Sequence, residues 1–369
     1  MERIFKLNRH DGSINSFAFS PYGHHLASAS DDNTAMLWET NTGRLSHTFK
    51  GHKKSVTKVE FSSNGEQLAT ASRDGTAKVW DINTSKELHS FGESPSGMNA
   101  VAFSPNGEQL ATASWSGASL WNLSNGELLH TFDEYNAESI VFSPNGEKLA
   151  TASRDDFAKI WDVRTGKLFH TLPHEETVWS AVFSRDGQHI ATASSDRTAR
   201  LWDANTGKLL QILQEHEYIP DIAFSPDGKQ LATSNGKNNT AIIWDATTGK
   251  LLQTLRGHEK TVSSIVFSHD GQHIATASLD RTTRLWDATT GELLQTLQEH
   301  KGKVKDTVFS PDDKQLATAS DNHPSRVWRI GDIEDMLKVS CDRVRHSWKG
   351  DRSLCDGVPS KAIAPMVSK

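Results

Sequence analysis

Residues 257 to 287 read GHEKTVSSIVFSHDGQHIATASLDRTTRLWD, and altered copies of this stretch return along most of the chain. Within it, Val262, Ile265 and Phe267 mark a short apolar strand and His269-Asp270-Gly271 a turn. Ile274 to Ser278 make a second strand, Asp280 opens a tight turn, and a third strand ends at Trp286-Asp287. Alternating and β-branched residues between Gly, Asp and Asn turns are strand chemistry, and the segments are too short for amphipathic helices. The phase holds from copy to copy. Trp38, Trp80, Trp121, Trp161, Trp202, Trp244, Trp286 and Trp328 are spaced by 42, 41, 40, 41, 42, 42 and 42 residues. Eight anchors predict eight units, none of which can bury both faces alone.

A GH…WD unit of about 40 to 45 residues resembles a WD40 repeat, the four-stranded blade of a β-propeller. The resemblance implies an all-β chain, a single closed eight-bladed WD40 propeller over residues 1–331, with seven blades as the alternative. Aligning His10 with His258 places Arg3 to Leu7 opposite Leu251 to Leu255, an outer strand with no blade of its own. Val304 to Phe309, Gln315 to Ser320 and Ser325 to Arg329 are three strands lacking a fourth. Lending the N-terminal strand to the last blade buries Ile4 and Leu7 there and removes the exposed edges of an open array.

Beyond Trp328 the period stops. Ile333, Met336, Leu337 and Val344 recur near helical spacing, predicting a short C-terminal helix over 332–348, with 349–369 read as a disordered tail. This segment, with Cys341 and Leu354-Cys355-Asp356, is similar to the tails of large bacterial WD-repeat signalling proteins, where a propeller is fused to a nucleotide-binding switch domain.

A net charge of -6 and a pI near 6.3 leave no basic excess to neutralise phosphates, so nucleic acid and anionic membranes are disfavoured partners. The two cysteines, Cys341 and Cys355, lie outside the repeats and fit a reducing compartment. The opening MERIFKLNRHDG has no apolar signal core, and no apolar run is long enough to span a bilayer. The expectation is a cytoplasmic, monomeric propeller.

A His before the inner strand, a Ser or Thr in the second strand, an Asp at the following turn and the anchor Trp recur together, as in His52, Thr70, Asp74 and Trp80. The indole can donate to the hydroxyl and the His can link that hydroxyl to the carboxylate. Four copies of one constellation argue for architecture rather than an active site, and the family match implies a buried network. Ser72 shares a face with Thr70, so either could take the central place. Blades 1, 2, 5 and 7 keep the full set. Blade 3 has Glu93 to Gly97 in place of GH and a shortened turn, Trp115-Ser116-Gly117, without its Asp. Blade 4 has Asp133-Glu134-Tyr135-Asn136 in place of GH, and blade 6 has a lengthened turn, Asn235 to Asn239, with Pro220 at the entry to its inner strand.

Seventeen histidines raise a metal hypothesis. His47, His89, His130 and His170 occupy one outer-strand position in four successive blades, on separate spokes of the rim, whereas ligands must converge at about 2 Å. No metal or other cofactor is expected, and substitutions at His47 or His130 are expected to be nearly silent.

Two tryptophans in the ring, Trp115 and Trp179, fall outside the anchor position. Both map to the face carrying the His-bearing loops, together with Tyr135, Phe157 and Tyr218, in blades 3 to 6 where the polar network is most eroded. Arg73 and Arg154, at equivalent turns, add charge-assisted contacts. These seven residues form the candidate surface for a protein or peptide partner, and filling of gaps left by the lost His and Asp is the competing account. The positions expected to ring the central mouth are Asn15, Thr57, Asn99, Glu138, Trp179, Pro220, Ser263 and Lys305. They include no nucleophile-base pair, which favours a non-enzymatic scaffold or sensing module over an enzyme sited there. A nucleic-acid reader using Arg73, Arg154 and the aromatics is the third alternative.

Overall fold

The computed structural model describes residues 2–330 except 93, 216, 299 and 322–324, with side chains from residue 5 onward. The helix expected over 332–348 and the tail after it lie outside the described residues. Each repeat folds into one four-stranded antiparallel sheet, and the described residues form eight such sheets and no helix. Blade 1 comprises Ile14–Phe19, His25–Ser30, Thr34–Glu39 and Leu45–Lys50, and blade 2 comprises Val56–Phe61, Gln67–Ser72, Ala77–Asp81 and Glu87–Phe91. Inner strands of successive blades contact one another all the way round, and Val304–Phe309 of blade 8 meets Ile14–Phe19 of blade 1. The ring is therefore closed.

The core lies between blades, and the alternation of side chains across a strand puts it there. In blade 2, Leu68 and Trp80 join Phe49 and Leu37 of blade 1 in one buried cluster. Their neighbours Ala69, Ala71 and Val79 face the other way and join Val101 and Leu110 of blade 3. Alanine in the second strand keeps the facing blade close, and Ala69 and Ala71 are fully buried. Each outer strand ends in an apolar side chain tucked under the next blade's anchor indole. Phe49 meets Trp80 at 5.6 Å between ring centres, Phe91 meets Trp121 at 5.3 Å, and Phe132 meets Trp161 at 5.1 Å.

Blade 8 takes its outer strand from the other end of the chain. Glu2–Leu7 pairs antiparallel with Ser325–Arg329, and Leu7 enters the cluster of Trp38 in blade 1, as Phe49 does for Trp80. Phe5 packs on Gly43, where a Cβ would sit 2.4 Å from its ring.

The inner strands of seven blades carry a register shift at their second residue, seen at Asn15, Thr57, Asn99, Glu138, Trp179, Ser263 and Lys305. Such a bulge re-aims one side chain without ending the sheet. In blade 6 the corresponding residue is Pro220, which has no N–H for the ladder, and the inner strand shortens to Ile222–Phe224.

Candidate functional site

The polar constellation is an internal brace. Trp80 Nε1 donates to Thr70 Oγ1 at 2.9 Å, and that hydroxyl meets His52 Nε2 at 2.8 Å. His52 Nδ1 meets Asp74 Oδ2 at 3.0 Å, and the acceptor-only carboxylate places the ring proton on Nδ1. Thr70, not Ser72, holds the centre. Ser72 Oγ bonds instead to the Lys54 carbonyl and the Asp74 amide. Burial lowers the His52 pKa despite the adjacent Asp74, so the ring is neutral. Burial alone would raise Asp74, but Thr76, the Lys53 amide and His52 together hold it at about 2. The same chain of contacts recurs in blades 1, 5 and 7.

In blades 4 and 6 a glutamate takes the place that the histidine holds elsewhere. In blade 4, Thr151 Oγ1 donates to Glu134 Oε2 at 2.7 Å while also receiving Trp161 Nε1. In blade 6, Glu215 accepts from Thr233 Oγ1 and Asn235 Nδ2, both at 2.5 Å. Glu134 and Glu215 stand 17 and 18 residues before their threonines, and the histidines stand 18 before theirs. That spacing was the signal in the sequence.

The rim histidines do not converge, and no group of three or more His, Cys, Asp or Glu among the described residues could hold a metal. Two of them make contacts across a blade boundary. His130 Nε2 reaches the Arg164 carbonyl at 3.2 Å and His170 Nε2 the Asn205 carbonyl at 2.8 Å, each clasping a turn of the next blade.

On the loop face the bulged residues of blades 1, 2, 3 and 7 tie neighbouring blades together. Asn15 donates to the Val56 carbonyl, Thr57 to Met98, Asn99 to Ala137 and Ser263 to Val304, at 2.8 to 2.9 Å. Blades 4 and 5 break this belt. Arg154 Nε bonds to Glu138 Oε1, and the same oxygen accepts Trp115 Nε1 at 3.2 Å. The Arg154 guanidinium lies 5.3 Å from the Trp115 ring of blade 3 and 5.3 Å from the Trp179 ring of blade 5. Trp179 Nε1 is anchored on Ser195 Oγ at 2.8 Å. Three of the seven candidate residues thus meet, and Glu138, noted at the mouth but not counted among them, joins their charges.

The other four stand apart from this stack. Tyr135 is 61% exposed and Phe157 38%, both in blade 4, and neither stacks on another ring among the described residues. Tyr218 packs against Gly236, where a Cβ would be 2.1 Å from its ring. Arg73 faces blade 1: burial alone would raise the Asp31 pKa, but hydrogen bonds from Asn15 and Ser55 and the charges of Lys305 and Arg73 hold it low.

Deeper in the central channel the sequence reading missed three carboxylates: Asp221 and Asp306 share one repeat position, just after the bulge, but most blades carry no acid there, and Glu60 stands at another. Glu60 accepts the Phe103 amide at 3.0 Å, Asp221 the Ile265 amide at 3.0 Å, and Asp306 the Phe17 amide at 3.2 Å, each from the neighbouring blade. Loss of bulk hydration pushes Glu60 up to about 7 and Asp221 to about 6 and also raises Asp306, while Lys58 offsets Glu60 and Asp306 only in part. A carboxyl raised in the fold stabilises below its unfolded pKa and loses that contribution as pH rises through the folded value. Glu60→Gln should therefore melt higher than wild type at pH 8, with the gap closing toward pH 4. A gap that widens in acid would contradict this assignment.

The sequence matches the family described as IFT122 first beta-propeller over residues 13–220. It matches the WD domain, G-beta repeat, over 207–245, 249–287 and 291–323. The chain belongs to the WD40-repeat β-propeller family. The WD40 propeller is 50% identical over 48 residues to nuclear distribution protein PAC1 of Tuber melanosporum, covering 13% of this chain and 11% of that protein. It is 46% identical over 48 residues to the PAC1 of Arthroderma benhamiae, covering 13% of this chain and 10% of that one. The match thus spans about a tenth of the length of these relatives. The crystal structure of the computationally designed Ika8 protein aligns with a TM-score of 0.80 at 25% identity, covering 89% of this chain and 100% of that one. No helix among the described residues is long and apolar enough to cross a membrane.

Proposed function

We propose that this WD40 propeller is a non-enzymatic protein-interaction scaffold that binds a protein or peptide on its loop face, over blades 3 to 5. The observation that carries the reading is the Arg154 guanidinium held between two tryptophans of the flanking blades, with Trp115 left 44% exposed. Tryptophan and arginine are the side chains most enriched at interface hot spots, and a rigid ring presents them at little cost in ordering. Tyr135 and Phe157 extend the apolar margin on blade 4. WD40 membership and the kinship of one repeat with proteins named for nuclear distribution support an assembly role. The absence of a basic excess sets nucleic acid and membrane aside as general partners, and a monomeric, cytoplasmic module is the simplest form of the reading.

The test is to recover a binder with the wild-type chain and remeasure it with Trp115→Ala and Trp179→Ala. Each should weaken binding by about 2 kcal/mol, roughly thirtyfold, with melting unchanged to within a few degrees. Lys229→Ala is the control, since its side chain is 80% exposed in a turn on the opposite face. Asn205 does not serve, because its side chain accepts Lys148 Nζ at 2.5 Å and its carbonyl meets His170. Wild-type binding by both folded tryptophan variants would move the interface elsewhere.

A further inference from the structure

We infer that Arg154 is the receptor for an acidic side chain of the partner, an aspartate or glutamate that enters in the plane of the guanidinium. This rests on the reading of the loop face just given and adds the chemistry of what docks there. The guanidinium lies over two indoles, each ring centre 5.3 Å from its carbon, so its neighbours leave the Nη edge as the place where an additional ligand can pair with it. The Nε edge is taken by Glu138. The two Nη groups have no hydrogen-bond partner among the described residues, although the side chain is only 45% exposed. What is left is a planar fork of N–H donors, oriented by Glu138 and stiffened by the tryptophans. A carboxylate, planar and bidentate, is its geometric complement.

The surroundings select the charge of the guest. Glu138 already neutralises part of the cation, and Asp155 and Asp156 follow Arg154 directly in the turn. A single negative charge is tolerated there better than the nearly two of a phosphate. A cationic guest would have to compete with Arg154 itself for Glu138, which is only 17% exposed.

A displayed library of random twelve-residue peptides, selected on the full chain and in parallel on Arg154→Gln, tests the proposal without knowing the natural partner. Wild-type selection should enrich peptides with a fixed Asp or Glu beside an apolar residue, and the Arg154→Gln selection should lose that acidic position. One enriched peptide, made with capped termini, should then bind Arg154→Gln at least about tenfold more weakly than wild type, as expected for a lost charge-assisted pair. Arg154→Lys should also weaken it, because an ammonium lacks the fork. Glu138→Gln should bind within about threefold of wild type or tighter, since its amide oxygen still accepts Nε while the opposing charge is gone. Melting curves of the three variants establish that each is folded. Enrichment without an acidic position, no enrichment at all, or loss of binding in Glu138→Gln with retention in Arg154→Gln overturns the proposal. So does a phosphoserine version that binds more than tenfold tighter than the carboxylate. If Trp115→Ala weakens the recovered binder while Arg154→Gln does not, the acidic guest fails and the docking face stands.

Discussion

Deleting residues 1–8 should lower the melting temperature by about 5 °C or more and turn the protein toward aggregation. Blade 8 would keep Val304–Phe309, Gln315–Ser320 and Ser325–Arg329 but lose the strand that pairs along Ser325–Arg329. Leu7, 1% exposed, would vanish from beneath Trp38, a loss of about 2 to 3 kcal/mol in apolar burial before any ladder bond is counted. The damage would not be confined to one blade. Each anchor indole rests on the outer strand of the preceding blade, so blade 1 loses its support and the ring its closure. The uncovered edge also exposes unpaired N–H and C=O groups, a template for association between chains. Supplying Glu2–Leu7 as a separate peptide should recover part of the lost stability. Unchanged melting and solubility after the deletion would mean that this pairing contributes nothing to closure.

The architecture was legible because its cause is periodic. Trp80 and Phe49 meet for the same reason that Trp161 and Phe132 do, so one repeat specifies all of them. The brace was legible down to its members, but not to the choice between Thr70 and Ser72. Both point to one face of the strand, and only the reach of the Trp80 indole separates them. Rim contacts such as His170 with the Asn205 carbonyl were hidden because they join residues 35 apart, across a blade boundary that within-repeat alignment does not cross.

The candidate surface was legible in part, and the limit has the same origin. Equivalent positions fix the direction of a side chain but not its neighbour. Arg73 and Arg154 occupy the same turn in blades 2 and 4, yet Arg154 finds indoles on both sides and Arg73 finds Asp31. The difference lies in the flanking blades. Trp115 and Trp179 exist once each, so nothing in the repeat announces that both meet Arg154 of blade 4. Glu138 shows the same principle. Its bulge aims it at the mouth like Asn15, but its partner is Arg154 of its own blade rather than a backbone carbonyl of the next.

His258→Ala should cost about 3 kcal/mol, near the upper end for a buried hydrogen-bonding group, because it strands two partners and one is charged. Thr276 Oγ1 lies 2.7 Å from Nε2 and Asp280 Oδ2 lies 2.8 Å from Nδ1, and the ring is almost wholly enclosed. Burial alone would raise the Asp280 pKa, and the contacts from His258, Thr282 and the Glu259 amide hold it well below its ordinary value. His170→Ala removes one contact to a backbone carbonyl at the exposed rim and should cost about 1 kcal/mol. Chemical denaturation of both variants at pH 7 gives the comparison. The pH dependence adds a second, independent check. A carboxyl depressed in the fold contributes stability above its unfolded pKa of about 4 and loses it as pH falls toward the folded value. Because the variant keeps less of that depression, its deficit relative to wild type should shrink below about pH 4, whereas the His170→Ala deficit should not follow Asp280 at all. Equal costs for the two substitutions would show that the brace and the rim clasp are energetically alike, and a deficit that grows in acid would show that His258 does not hold Asp280 ionised.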